Sequence, residues 1–220
     1  MSWSDLLYPG NPDRRAKVVR LHQELIDCIE LNFDAANTLI DVLNTHWTCK
    51  LSPVKMNKQG TIKENTDVFL AAMKSIQGVL QDIDKALASK LEPALYRKLH
   101  NVQETDATKM KILAEVTIGV VTAGIFFTLI YSNVTISACG QITALMAEVG
   151  ISLFGGIVAS ALVGVGLNLI LSAIIGATER SQLEAEIQKL EALVNEFKPA
   201  SKEYYKTIIE VKIICQQRGK

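Results

Sequence analysis

The sequence is short of aromatics, of net charge and of any paired cysteines. Phe, Trp and Tyr make up 6% of 220 residues, too few for a base-stacking surface, and Lys+Arg and Asp+Glu balance at 23 each. A general nucleic-acid binder needs a basic field to neutralise phosphates, so that class is excluded. The four cysteines, Cys28, Cys49, Cys139 and Cys215, form no CxxC pair and suggest no disulfide framework. They read as free thiols of a reducing compartment. His22, His46 and His100 are widely spaced, with no HExxH or HxH, and read as surface or bundle-edge side chains. There is no P-loop, no GxGxxG after a strand and no GxSxG elbow. The glycines at 155, 156, 164 and 166 sit in apolar sequence without a neighbouring lysine and cannot cradle a phosphate. Paired carboxylates such as Asp82 and Asp84 read as a solvated helical face. No catalytic residue, metal site, cofactor or small-molecule substrate is expected, and the chain is not read as an enzyme. The N-terminus has no basic stretch leading into an apolar one, so no cleaved signal peptide is expected, and Ser2 stands where myristoylation needs glycine.

What is present is a strong unevenness. Residues 1–115 carry 15 basic and 15 acidic side chains, and residues 179–220 carry 8 and 7. The 63 residues 116–178 hold one formal charge, Glu148. Two charged regions flank a lipid-like middle.

Both charged regions have helical periodicity. After the turn-rich opening from Tyr8 to Pro12, Ile26, Ile29, Phe33, Ala36, Ile40 and Leu43 alternate three- and four-residue steps. Leu25, Cys28, Leu39 and Val42 widen that face into the broad stripe of a bundle helix, which ends near Thr48 before Ser52-Pro53 and Gln59-Gly60. Thr61 and Glu64 fit a capping box that opens a second helix. Its seam is Ile62, Thr66, Phe69, Met73, Ile76, Leu80, Ile83 and Leu87, nearly four heptads. Pro93 suits the first turn of a third helix. From Glu179 a further heptad series runs Leu183, Ile187, Leu190, Val194, Phe197, Ser201, Tyr204, Ile208, Val211 and Cys215. Pro199 removes one backbone donor and is expected to kink or split that helix.

The stretch 149–178 has 30 uncharged residues, and about 20 suffice to cross the hydrocarbon core as a helix. Small residues recur in it every fourth position, among them Gly156, Ser160, Gly164 and, at the same step, the polar Asn168. Such a stripe lets helix backbones approach closely in lipid, and Asn168 would want a polar partner there. A second candidate span is 112–131, marginal in length, followed by a turn at Ser132-Asn133 and an amphiphilic run closed by Glu148. Asn133-Val134-Thr135 is the one glycosylation sequon and would need a lumenal position. Glu148 reads either as a helix start at the membrane surface or as a buried, pH-sensitive lock.

Two topologies compete. If only 149–178 spans, the positive-inside bias of Arg180, Lys189 and Lys198 puts the C-terminus in the cytosol and exports the N-terminal region without a leader. If 112–131 and 149–178 form a helical hairpin, Lys109, Lys111 and Arg180 share the cytosolic side and the charged regions can bury each other's seams. The residues alone favour the hairpin.

Several strings carry a resemblance: LYPGNPDRR at 7–15, RLHQELIDC at 20–28, GTIKEN at 60–65 and KLEPALYRKL at 90–99. With Ser132-Asn133-Val134-Thr135 and the glycine-rich run after Gly150, they resemble the vertebrate family of single-pass membrane and coiled-coil domain-containing protein 3. The resemblance covers nearly the whole chain in order. It implies one membrane span, a coiled coil and an undefined molecular role, and it brings no active site with it.

The expectation is therefore an all-α protein of three regions: an N-terminal helical or coiled-coil region at 1–111, a hydrophobic membrane region at 112–178 and a C-terminal coiled-coil helix at 179–220. The secure span lies within 149–178 and 112–131 is the second candidate. The expected function is that of a membrane-anchored structural or interaction protein. Its partners are the bilayer and a helical partner or second copy, with no nucleic acid. The alternative is a helical protein that inserts into membranes conditionally, in the manner of pore formers.

Overall fold

The structure, a computed structural model, describes residues 10–47, 49–90, 92–101, 132–152 and 179–218. Five helices make up the described chain: α1 (Asn11–Trp47), α2 (Ile62–Lys90), α3 (Pro93–His100), α4 (Ser132–Ser152) and α5 (Glu179–Arg218). The protein is all-α and its helices pack into a bundle. Its contacts divide into two compact units. Unit 1 comprises Met1–Phe33, Lys55–Leu70 and Ile142–Lys202, and unit 2 comprises Asp34–Val54, Ala71–Gln141 and Glu203–Lys220. Helices α1, α2, α4 and α5 each contribute residues to both.

The heptad positions are what the units bury. On α2, Ile62, Thr66, Phe69, Met73, Ile76, Leu80 and Ile83 are all at most 1% exposed. On α5 every residue of the series from Leu183 to Cys215 is buried. Each large aliphatic or aromatic side chain moved out of water this way contributes roughly 1.5–3 kcal/mol, which is why helices of this length hold together. In unit 1 the core includes Leu25, Ile29 and Phe33 of α1 with Phe69 of α2, whose ring centre lies 5.6 Å from that of Phe33. In unit 2, Val42 of α1 clusters with Val211 and Cys215 of α5.

The capping box forms as the sequence predicts. The Thr61 N–H donates to Glu64 Oε2 at 2.7 Å, and the Glu64 N–H donates to Thr61 Oγ1 at 3.1 Å. Gly60 precedes it because a Cβ there would lie 2.9 Å from Asn57 Nδ2 and 3.0 Å from Glu64 Oε2.

Three expectations are corrected. Ser132-Asn133 is not a turn but the start of α4, because Cys139, Ile142, Met146 and Val149 follow at steps of three, four and three and are all buried. Pro199 does not split the last helix: α5 is continuous through it for 40 residues. The proline itself is exposed, and buried Phe197 and Ser201 on either side hold the helix on its seam. His22 is not at the surface but 2% exposed.

Among the described residues no helix is long and apolar enough to cross a membrane. The candidate span 112–131, residues 153–178 of the other span, and with them Gly156, Ser160, Gly164 and Asn168, lie outside the described residues. The first residues of the 149–178 stretch belong to α4. Val149 is 1% exposed, and a Cβ on Gly150 would sit 2.7 Å from Thr66 Oγ1 of α2. That glycine lets α4 approach α2 within unit 1.

Candidate functional site

The polar residues of the bundle gather in three places. The first is a buried polar seam of unit 1. On α1 the positions 18, 22, 25, 29 and 32 step by four and three, and all are buried, so His22 and Asn32 sit on the seam with Val18, Leu25 and Ile29. Asn32 Nδ2 donates to Ser201 Oγ of α5 at 3.1 Å. Cys28 also bonds Ser201, but burial dominates and pushes its thiol above the ordinary range. A polar pair on a seam fixes which residues face each other, since any slip leaves both groups unpaired in the core. Along the edge of this seam, Arg14 pairs with Glu184 at 2.9 Å, Lys17 with Glu191 at 2.7 Å and Lys198 with Glu24 at 2.8 Å. The bonds from Lys198 and Arg180 hold Glu24 and Glu184 below the usual carboxylate range. These pairs align α1 and α5 in parallel. Being still reached by water, each contributes on the order of 1 kcal/mol or less.

Not every buried group is satisfied. Both amide atoms of Asn11, Nε2 of His22, Oδ1 of Asn32 and Oε1 of Glu186 are buried without a hydrogen-bond partner. Burial holds His22 neutral, with its pKa down at about 4.

The second place is unit 2, where Tyr204 is 1% exposed and its hydroxyl lies 3.6 Å from Met73 Sδ. Burial raises the Tyr204 phenol well above its ordinary range and pushes the Cys139 thiol up to about 12, despite a bond between the two side chains. Neither is a nucleophile at neutral pH, because the thiolate is the reactive form of cysteine. In the same unit Tyr96 of α3 donates to Asp84 Oδ2 of α2 at 2.9 Å, so Asp84 is partnered rather than only solvated.

The third place is the strap between α1 and α2. Asn44 Nδ2 donates to the Leu51 carbonyl at 2.8 Å, and the Leu51 N–H donates back to Asn44 Oδ1 at 2.9 Å. Asn37 holds both backbone groups of Val54 the same way, each at 2.8 Å. On the other side Asn65 holds both groups of Asn57, at 2.9 and 2.7 Å. Residues 51, 54 and 57 are thus clamped at three-residue steps, the period of a polyproline II helix, and Pro53 lies among them. Nothing in the local sequence marks Asn37 and Asn44 as clamps.

The residues singled out from the sequence fall as follows. Asn133 is the second residue of α4. Glu148 lies near the end of α4 and is exposed, so it is not a buried lock, and it is not at a helix start. The packing stripe from Gly156 to Asn168 is outside the described residues. None of the four cysteines is in a disulfide, and the described residues bring together no group of three or more His, Cys, Asp or Glu that could hold a metal ion. What the geometry positions is the roots of the two segments that carry the runs 112–131 and 153–178, the first segment being charged as far as Glu115. Asn101 and Ser132, which bracket 102–131, both lie in unit 2, and Ser152 and Glu179, which bracket 153–178, both lie in unit 1.

No solved structure matches this chain. A family model described as "Protein of unknown function (DUF4533)" matches residues 14–170, from the start of the α1–α5 charge pairs through α4 and into the apolar tract. That match covers well over half of the sequence, and the chain belongs to the DUF4533 family.

Proposed function

We propose that this chain is a membrane-anchored helical bundle, a structural or interaction protein rather than an enzyme, that engages the bilayer through 149–178. The observation that carries the reading is the 26-residue tract 153–178, which has no Asp, Glu, Lys or Arg and is rooted at both ends in a charged, heptad-built bundle. A stretch of that kind is the length and character of a membrane helix. The stripe of Gly156, Ser160, Gly164 and Asn168 would then pack against a second apolar helix, from 112–131 or from another copy. Lipid and a helical partner are the binding partners, and a membrane is the location.

The pairing of α1 with α5 bears on topology. Arg14–Glu184, Lys17–Glu191 and Asn32–Ser201 hold the two helices side by side in unit 1. Helices paired this way share one side of a bilayer, so the reading takes the hairpin form, with an even number of crossings. A single crossing, which the family resemblance implies, would separate them.

A second reading, conditional insertion, is favoured by the place of α4. Cys139, Ile142, Met146 and Val149 are buried in the bundle. A hairpin of two spans would carry α4 to the far side, and neither 102–131 nor 153–178 alone is long enough for two crossings of about 20 residues each. With α4 packed, the tracts can lie on or dip into the bilayer. With α4 released, they can cross it.

The test is membrane retention of the full chain. The protein made with microsomes is extracted with alkaline carbonate, beside a Leu162→Lys/Leu169→Lys variant. Each lysine at mid-membrane costs about 2.5–3.5 kcal/mol, enough to abolish retention. Equal retention of the variant and the parent chain, or recovery of the parent chain entirely in the supernatant and unattached to vesicles, would overturn the reading. Glycosylation at Asn133 in the same microsomes would place α4 in the lumen and with it the released, hairpin-spanning form.

A further inference from the structure

We propose that Ser52 is a phosphorylation site for a proline-directed serine/threonine kinase, presented by the folded bundle on the clamped strap. The sequence Ser52-Pro53-Val54-Lys55 places proline directly after a hydroxyl and a lysine three residues on. Ser52-Pro53 is the one Ser-Pro or Thr-Pro step among the five prolines of the chain. Kinases of this class accept the hydroxyl from an extended chain. They take proline next because that position offers no N–H to satisfy, and many favour a cation at the third position.

The three-residue repeat of the strap sorts these positions. Leu51 and Val54, whose backbone groups Asn44 and Asn37 hold, are half-buried. Ser52, Pro53 and Lys55, the three residues a kinase of this class would read, are exposed. Val54, turned toward the bundle, is the position such an enzyme does not read. Residues 49–57 lie in neither helix nor strand, so Ser52 has no helix or ladder bonds to break before it enters a kinase cleft. The residues 49–59 contain Lys50, Lys55 and Lys58, the last paired with Glu30, and no acidic side chain. The clamps act on residues 51, 54 and 57, so they survive the modification. The step is ordinary phosphoryl transfer from ATP. Ser52 Oγ forms the new bond to the γ-phosphorus, the bond from that phosphorus to the bridging oxygen of ADP breaks, and the hydroxyl proton passes to the base of the kinase.

The experiment incubates the purified full chain with a cyclin-dependent kinase–cyclin complex and magnesium ATP, and compares it with a synthetic peptide of residues 49–59. One phosphate per chain is expected, on the tryptic fragment 51–55, absent from Ser52→Ala and slowed by about tenfold or more in Pro53→Ala. Both substitutions are at exposed strap positions, and circular dichroism checks that the helices are retained. The folded chain should be modified with kcat/KM at least about one-tenth that of the peptide. A lower value means that the clamped strap hides the hydroxyl and overturns the proposal. Phosphate found only at other residues, or on neither substrate, overturns it as well.

Discussion

At the scale of single residues, the bundle is specified by the few polar side chains that it places where apolar ones would fit. Asn32 and Ser201 pair across the unit 1 seam, and His22 sits on the same seam of α1 with Nε2 unpartnered. The histidine makes unit 1 acid-sensitive. Its folded pKa is about 4, against an ordinary 6.5. Below pH 6.5 the unfolded chain gains a proton on this ring that the folded chain refuses until about pH 4. The contribution is therefore complete above 6.5 and is lost between 6.5 and 4, by up to ~3 kcal/mol. We expect the urea midpoint to fall between about pH 7.5 and pH 5, a window in which ordinary carboxylates stay charged. His22→Leu should flatten most of that fall, and a variant as pH-dependent as the parent chain would show that the sensitivity lies elsewhere.

At the scale of elements, local signals and tertiary contacts share the work. Thr61 and Glu64 start α2 by themselves, with no help from distant sequence. The strap has no such autonomy, because its backbone groups are satisfied by asparagines from α1 and α2. Asn44→Ala leaves both polar groups of Leu51 to water and should cost about 1–2 kcal/mol, felt mainly as strap opening. Limited trypsin cleavage after Lys50 and Lys55 should accelerate by about tenfold, while the thermal midpoint of the helices moves little. Cleavage no faster than in the parent chain would mean that the Asn44 clamp does not hold the strap closed.

For the whole molecule, the question is whether α4 leaves the bundle. An ideal Cβ on Gly150 lies 3.5 Å from the Thr66 Cβ, which suits a disulfide, whose Cβ separation is about 3.5–4.5 Å. Thr66→Cys with Gly150→Cys would thus lock α4 to α2 inside unit 1. If insertion is conditional on α4 release, the oxidised double variant should not make anionic vesicles leak at low pH, and reduction should restore leakage to the level of the parent chain. Equal leakage from the locked and reduced forms would rule out α4 release as the trigger. A protein anchored with its bundle closed should bind vesicles equally in both states.

The helical class, the seams of α2 and α5, the capping box and the uncharged tract all follow from the order of amino acids. Each is a periodic or nearest-neighbour property that the chain carries wherever it is placed. Periodicity marked one broad stripe on α1, and all of it is buried, but it did not show that polar residues share the buried face. His22 and Asn32 are buried with it, and the partner that Asn32 finds there, Ser201, is 169 residues away. The turn expected at Ser132-Asn133 became helix because a four-residue stripe found partners in the bundle. Pro199 kept its helix whole because the buried residues on either side hold it on the seam. The asparagine clamps are equally invisible from one stretch of sequence, since an amide side chain matches any exposed backbone and only folding brings Leu51 and Val54 to it. Local order determined what each segment is, and tertiary packing decided which polar groups meet, because a hydrogen bond between distant residues has no signature until the chain closes.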